Sequence, residues 1–135
     1  MAAKSTTYVE GLGRRKTATA RVRLVPASKT EIIVNDKPMA EYFQHAALQK
    51  DVQSVLETKD AGIEDYTITA KVVGGGISAQ AEAIRLGIAR ALVKEKADRR
   101  TQLKAEGFLK RDPRSVERKK PGLRKARKRP AWSKR

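Results

Sequence analysis

Apolar and polar residues alternate strictly from Thr17 to Val25, with Ala18, Ala20, Val22 and Leu24 on one parity and Thr17, Thr19, Arg21 and Arg23 on the other. A period of two is that of a strand with one face buried and the other in water. Tyr8 to Leu12 precedes it as a pairing partner, which leaves Gly13, Arg14, Arg15 and Lys16 as the expected hairpin tip. Glu31 to Val34 predicts a short strand ended by Asn35 and Asp36, and Pro38 suits the first turn of a following helix. Met39 to Leu56 reads as helical, in one piece or two, with Tyr42, Phe43, Ala46 and Ala47 and then Val52, Val55 and Leu56 as apolar faces.

Alternation returns from Tyr66 to Val73 and stops at Gly74, Gly75 and Gly76. From about Ile77 to Lys96 the spacing becomes helical: Ile77, Ala81, Ile84, Ile88, Ala91 and Leu92 mark one face, and Leu86 and Val93 on the far side imply a second cover. Ser78 is the candidate N-cap, although Ala81 lacks the Glu or Gln of a capping box. A polar helical turn or two follows Ala97. This order predicts an α+β fold: a small, mostly antiparallel sheet with helices packed on one face, plus a long extended basic C-terminal tail.

Composition sharpens the division. The 135 residues hold 31 Lys or Arg against 15 Asp or Glu, a formal charge of +16. From Lys110 to Arg135 there are 13 cations and 2 carboxylates, and only Val116 and Leu123 represent the Leu, Ile, Val and Phe of a core. Such a segment cannot fold alone, so residues 1–109 are expected to form a globular α+β domain and 110–135 an extended basic arm. The absence of cysteine removes disulfides, thiolate zinc sites and thiol nucleophiles, and suits a reducing compartment. No stretch approaches the ~20 apolar residues of a membrane span, and Met1 to Glu10 lacks the apolar run of a secretory signal. The expected location is cytoplasmic.

Catalytic readings find little to stand on. Gly74 to Ala79 formally satisfies G-x-G-x-x-A between a strand and a helix, but no second parallel strand with an acidic end follows. A sharp, closely packed turn is therefore preferred to a phosphate site at the helix N-terminus, and both to a nucleotide cofactor. Gly11 to Lys16 lacks the Gly-Lys-Ser/Thr ending of a Walker loop. His45 has no companion ligand and reads as a surface or satisfied helix histidine. Glu57, Asp60, Glu64 and Asp65 around Gly62 read as a solvated loop. The expectation is no enzyme, no catalytic residue, no metal and no cofactor.

The cations carry the signal. Arg14, Arg15, Lys16, Arg21 and Arg23 place charge on the strands, and Arg85 and Arg90 place it on the long helix. In the arm, Arg111, Arg114, Arg118, Lys119, Lys120, Arg124, Lys125, Arg127, Lys128 and Arg129 are separated by Pro113, Pro121, Gly122 and Pro130, which prevent one continuous helix. An extended polycation on phosphates releases condensed counterions and binds strongly with little sequence preference. Arginine adds a planar fork that bridges phosphate oxygens. Trp132 either stacks on an exposed base or packs on its host. Membrane binding would want an apolar helical face, which the arm lacks.

Three motifs in order then resemble one family: Gly11 to Ala18; Gly74-Gly75-Gly76 through Ser78, Gln80-Ala81 and Ala83 to Leu92; and Arg111 to Arg114, Glu117 to Lys120, Lys125 to Arg127 and Ser133 to Arg135. From about Tyr8 to Arg135 the chain resembles the universal small-subunit ribosomal protein S-nine family in its bacterial or organellar form. That resemblance implies a structural protein in the ribosome, in the head of the small subunit. Its implied partners are small-subunit ribosomal RNA, peptidyl-site tRNA and neighbouring head proteins, with no membrane. It further implies a fold with a left-handed βαβ crossover, against the usual hand. The cations named above would meet ribosomal RNA, and Lys134 and Arg135 the tRNA anticodon stem-loop. Leu12 stands where the family carries Thr, and Ala131 and Trp132 where Gln and Phe or Tyr are usual. The competing classes are a DNA-compacting, histone-like protein and an ATP-using enzyme on the same fold.

Overall fold

A computed structural model describes residues 7–59 and 62–134. Its strands are β1 (Val9–Arg15), β2 (Ala18–Pro26), β3 (Glu31–Val34), β4 (Lys37–Pro38) and β5 (Tyr66–Val73), in the sheet order β1-β2-β5-β3-β4. The helices are α1 (Met39–Tyr42), α2 (Ala46–Gln53), α3 (Ile77–Glu95) and α4 (Arg100–Ala105), with a 3-10 turn at Ala97–Arg99. The sheet is mixed: three pairs are antiparallel, and β3 runs parallel to β5. A parallel neighbour needs a long crossover, and the segment carrying α1 and α2 supplies it.

Alternation translates directly into layers. Ala20, Val22 and Leu24 on β2 and Ile68 and Ala70 on β5 are fully buried beneath the helices. Their strand neighbours Arg21, Arg23 and Lys71 are exposed on the other face. Each fully buried Val, Leu or Ile contributes roughly 1.5–3 kcal/mol. The helix α3 lies across β1 and β2, and α2 packs on α3. Leu86, on the far side of α3, is buried as expected.

The contact between β1 and α3 leaves no space for side chains. A Cβ on Gly13 would lie 1.7 Å from the Ala83 carbonyl oxygen, and one on Gly11 2.2 Å from that of Gly87. Gly87 meets the sheet in turn, its own Cβ position lying 2.7 Å from Val22 Cγ2. Here glycine permits close approach of two backbones.

That contact also corrects the expected hairpin. Gly13, Arg14 and Arg15 belong to β1, pairing with Ala20, Thr19 and Ala18, so the turn is only Lys16 and Thr17. Lys16 takes φ +52° to close it. Strand propagation prevails because Gly13 is held against α3. The helical stretch after β4 is in two pieces, broken at Phe43 to His45. Pro38 lies just ahead of α1, in β4, with extended backbone.

Ser78 is not the cap of α3. Gly76 occupies that position with extended backbone, and no side chain caps the helix. Gln80 folds back instead: its Nε2 donates to the Gly74 carbonyl at 3.0 Å, and its Oε1 accepts from the Tyr42 hydroxyl at 2.6 Å. Gly74, at φ +77°, brings the strand end within 2.5 Å (measured from its Cβ position) of the Thr17 carbonyl oxygen. The glycine run is thus a packed turn against the β1–β2 hairpin.

One buried ion is absent from the periodic pattern. Arg99 is 2% exposed; its guanidinium donates to Glu95 at 2.9 Å, the Tyr66 hydroxyl at 3.0 Å and the Gly62 carbonyl at 3.1 Å. Burial, and then the hydrogen bond to Glu95, push the Tyr66 hydroxyl above its ordinary pKa. The network ties the chain after α3 to β5.

Gly13→Ala should lower stability by about 3 kcal/mol or more, since overpacking here meets backbone rather than a movable side chain. Gly76→Ser, where a Cβ meets nothing within 4 Å, should stay near wild type. Thermal unfolding of the two variants side by side checks the contrast.

Candidate nucleic-acid interface

The open face of the sheet collects three of the expected cations. Register places Arg14 opposite Thr19, and Leu12, Arg21 and Lys71 in one row across β1, β2 and β5. Arg23 lies in the next row with Thr69. Side chains of one parity share a face, so Arg14, Arg21, Arg23 and Lys71 project together among threonine hydroxyls. Lys71 is not among the cations expected above, yet the alternation of Thr67, Thr69 and Lys71 against the buried positions contains it.

Glu10 orders this face. It accepts from Arg21 Nε at 3.2 Å and lies 3.8 Å from Arg23 Nε. The Arg23 guanidinium also sits 4.5 Å from the centre of the Tyr8 ring. These exposed pairs are weak, of order 1 kcal/mol or less, and leave the cations able to exchange partners.

Arg15 is on the opposite parity and points toward α3. Its side chain is 10% exposed and its Nε donates to Glu82 at 2.5 Å. The same guanidinium donates to the Arg114 carbonyl and lies 3.5 Å from Asp112. Two separate parts of the chain, α3 and residues 112–114, therefore converge on one arginine of β1. Arg15, expected among the phosphate-facing cations, is instead committed to internal partners. Strand parity could have separated it from Arg14.

Asp112 closes the arrangement by accepting from the Arg114 backbone N–H at 3.0 Å and from its guanidinium at 2.8 Å. The Arg114 guanidinium, together with that backbone donor, holds the Asp112 carboxyl well below the usual carboxylate range. Lys16 is exposed at the turn, and its carbonyl accepts from Arg111 at 3.5 Å.

On α3 the expected cations part company. Arg90 donates to the Leu12 carbonyl at 2.8 Å along the β1 edge, whereas Arg85 sits 5.8 Å from the Phe108 ring centre on the far side. Residues 111–120 run without helix or strand, and turns and bends follow from 121 to 127. Arg118, Lys119, Lys120, Arg124, Lys125, Arg127, Lys128 and Arg129 are all exposed there. Glu117 accepts from Lys120 and, at 2.7 Å, from Arg127. Trp132 is 83% exposed and Lys134 is exposed; Arg135 lies outside the described residues.

Among the described residues no group of three or more His, Asp or Glu is arranged to hold a metal ion. His45 is exposed at the head of α2. Among the described residues no helix is long and apolar enough to cross a membrane.

Fold and surface together define an α+β domain that carries exposed cations on several sides. The model of the family described as Ribosomal protein S9/S16 matches residues 13–135, and the chain belongs to that family. It is 55% identical over 127 residues to the small ribosomal subunit protein uS9 of Synechococcus sp. (strain JA-2-3B'a(2-13)), covering 93% of this chain and 91% of that one. It is also 55% identical to uS9c of Mesostigma viride, covering 93% and 90%, and 52% identical to uS9 of Synechocystis sp. (strain ATCC 27184 / PCC 6803 / Kazusa) over the same shares. The family is one of structural ribosomal components, and membership places the chain in the small ribosomal subunit with ribosomal RNA and ribosomal proteins as partners.

Arg15→Met should cost about 1–3 kcal/mol by leaving Glu82 without its cation, and should raise amide exchange at residues 112–116. Arg14→Met, on the open face, should stay within about 0.5 kcal/mol. Hydrogen exchange read by mass spectrometry separates the two. For Asp112 the lowered pKa sets the sign: its contacts persist above the ordinary carboxylate value of ~3.9, and are lost only as pH falls through the still lower folded value. A carboxyl-carbon NMR titration showing Asp112 protonating near 4 contradicts this.

Proposed function

We propose that this chain is a structural, non-catalytic protein of the head of the small ribosomal subunit, with residues 1–109 docking on ribosomal RNA and residues 110–135 forming an extended basic arm. Arg14, Lys16, Arg21, Arg23 and Lys71 meet phosphates from the open sheet face and its turn. Arg15 acts indirectly, by fixing where the arm leaves the domain. Arm cations from Arg111 to Arg129 neutralise ribosomal RNA along their path, and Lys134 with Arg135 reaches the anticodon stem-loop backbone of peptidyl-site tRNA.

The observation that carries this reading is the anchored root of the arm. Arg15, Glu82, Asp112 and the Arg114 carbonyl hold residues 112–114 on the domain, so the cations beyond start from a defined point. The arm has few apolar residues to bury, and phosphate contacts offset the entropy of ordering it. Cations on a leash suit a site that must accept every tRNA, because phosphate contacts position a ligand without reading its sequence.

Deleting residues 134–135 should leave subunit assembly intact and speed tRNA dissociation from the peptidyl site several-fold. The salt slope of tRNA binding should fall by about two, one for each lost phosphate contact. Unchanged off-rates in ribosomes carrying the truncated protein refute the tRNA role while leaving the ribosomal RNA role standing.

A further inference from the structure

Four shallow clefts adjoin on the side of the domain away from the open sheet face. The first, about 570 Å³, lies on α4 and is lined by Arg100, Thr101, Lys104 and Ala105. The second, about 350 Å³, keeps Arg100 and Lys104 and adds Lys110 past the end of α4. A third, about 400 Å³, shares Lys110 and brings in Arg85, Arg111 and Arg114. The last, about 520 Å³, shares Arg111 and Arg114 and ends at Lys16 and Thr17 on the β1–β2 turn. Because each cleft shares lining residues with the next, they form one trough from α4 to the hairpin.

Cations dominate the trough, and the small cleft that joins it at Arg85, Gly107, Lys110 and Asp112 adds Glu82, which Arg15 already pairs. Asp112 is the one acidic residue among the linings of these four clefts, and Arg114 and Arg15 already hold it. Among the described residues, Arg100, Lys104 and Lys110 have no carboxylate within 4.0 Å. Holding like charges along one channel without counterions costs free energy, which a polyanion would recover. Two of these cations stand on α4, whose Leu103 is fully buried in the core, and the buried Arg99 network fixes the turn just ahead of it. Arg100 and Lys104 are thus held by a helix packed on the core.

We propose that this trough is a second track for the ribosomal RNA backbone, with Arg100, Lys104 and Lys110 as phosphate contacts additional to the open sheet face and the arm. The proposal rests on the ribosomal RNA reading above and assigns to it a surface that the motifs did not point to. RNA fits better than an acidic protein or a bilayer, because Leu109 and Val116 are the only large apolar side chains lining the four clefts. A protein interface would want a buried aromatic or aliphatic anchor, and a membrane an apolar face. A phosphate backbone needs neither.

The test uses the full chain with the triple variant R100Q/K104Q/K110Q, exposed positions where glutamine keeps helix propensity. Binding to small-subunit ribosomal RNA is measured across salt concentrations, beside the arm variant R118Q/K119Q/K120Q. The expected result is a salt slope lower by about three, with affinity lost evenly across RNA sequences. An unchanged slope in the trough variant, with a reduced one in the arm variant, overturns the track alone. Unchanged slopes in both overturn the ribosomal RNA reading itself. A photo-reactive residue at position 104 in assembled subunits gives an answer independent of the variant's folding: a nucleotide adduct supports the track, and a peptide adduct overturns it in favour of an acidic protein partner.

Discussion

The architecture depends on how closely β1 can approach α3. Gly11, Gly13 and Gly87 bring two backbones to a separation at which any Cβ would collide, and Ala83 and Ala91 line the same seam. A helix of 19 residues laid this tightly across the sheet covers one face of it and leaves the other to solvent. The alternation in β2 and β5 becomes a sidedness: alanine, valine, leucine and isoleucine beneath the helix, arginine, lysine and threonine outside. The charged face of the sheet takes its position from that seam.

The seam also decides what Arg15 does. With β1 held against α3, the last strand residue faces Glu82, and its guanidinium has donors left for Asp112 and the Arg114 carbonyl. Removing this part-buried cation leaves the half-buried Glu82 carboxylate without its hydrogen-bond donor, whereas Asp112 keeps Arg114. The consequence of the Arg15 contacts is directional: the chain past α4 is returned along the far side of α3 before its basic residues continue. Phe108 and Leu109 pack against the core on the same side, so apolar contact and ion pairing agree.

Polyanion recognition here follows from repetition more than from any single residue. The open sheet face, the trough beside α4 and the arm each present several cations on differently oriented surfaces. A folded RNA surrounds its proteins, and a protein that meets it on several sides gains orientation as well as affinity. Membership of a family of structural ribosomal components fits a part whose work is positional. Its glycine run, which resembles a nucleotide fingerprint in spelling, is used to tuck β5 against the hairpin at Thr17 and Ala18.

Much of this was legible in the order of residues. The strands at Glu31 to Val34 and Tyr66 to Val73, the extent of α3 to within a residue and the exposed parity of Arg21 and Arg23 all follow from periodicity, because burial on one face repeats with the geometry of the element. The concentration of charge after Lys110 is likewise a property of composition. What periodicity could not supply were relations between distant segments. The true length of the β1–β2 hairpin, the parallel β3–β5 pairing, the burial of Arg99 and the turning inward of Arg15 each depend on a partner 33 to 99 residues away. Such partners are chosen by packing, and a one-dimensional pattern of polarity contains the faces of elements but not which faces meet.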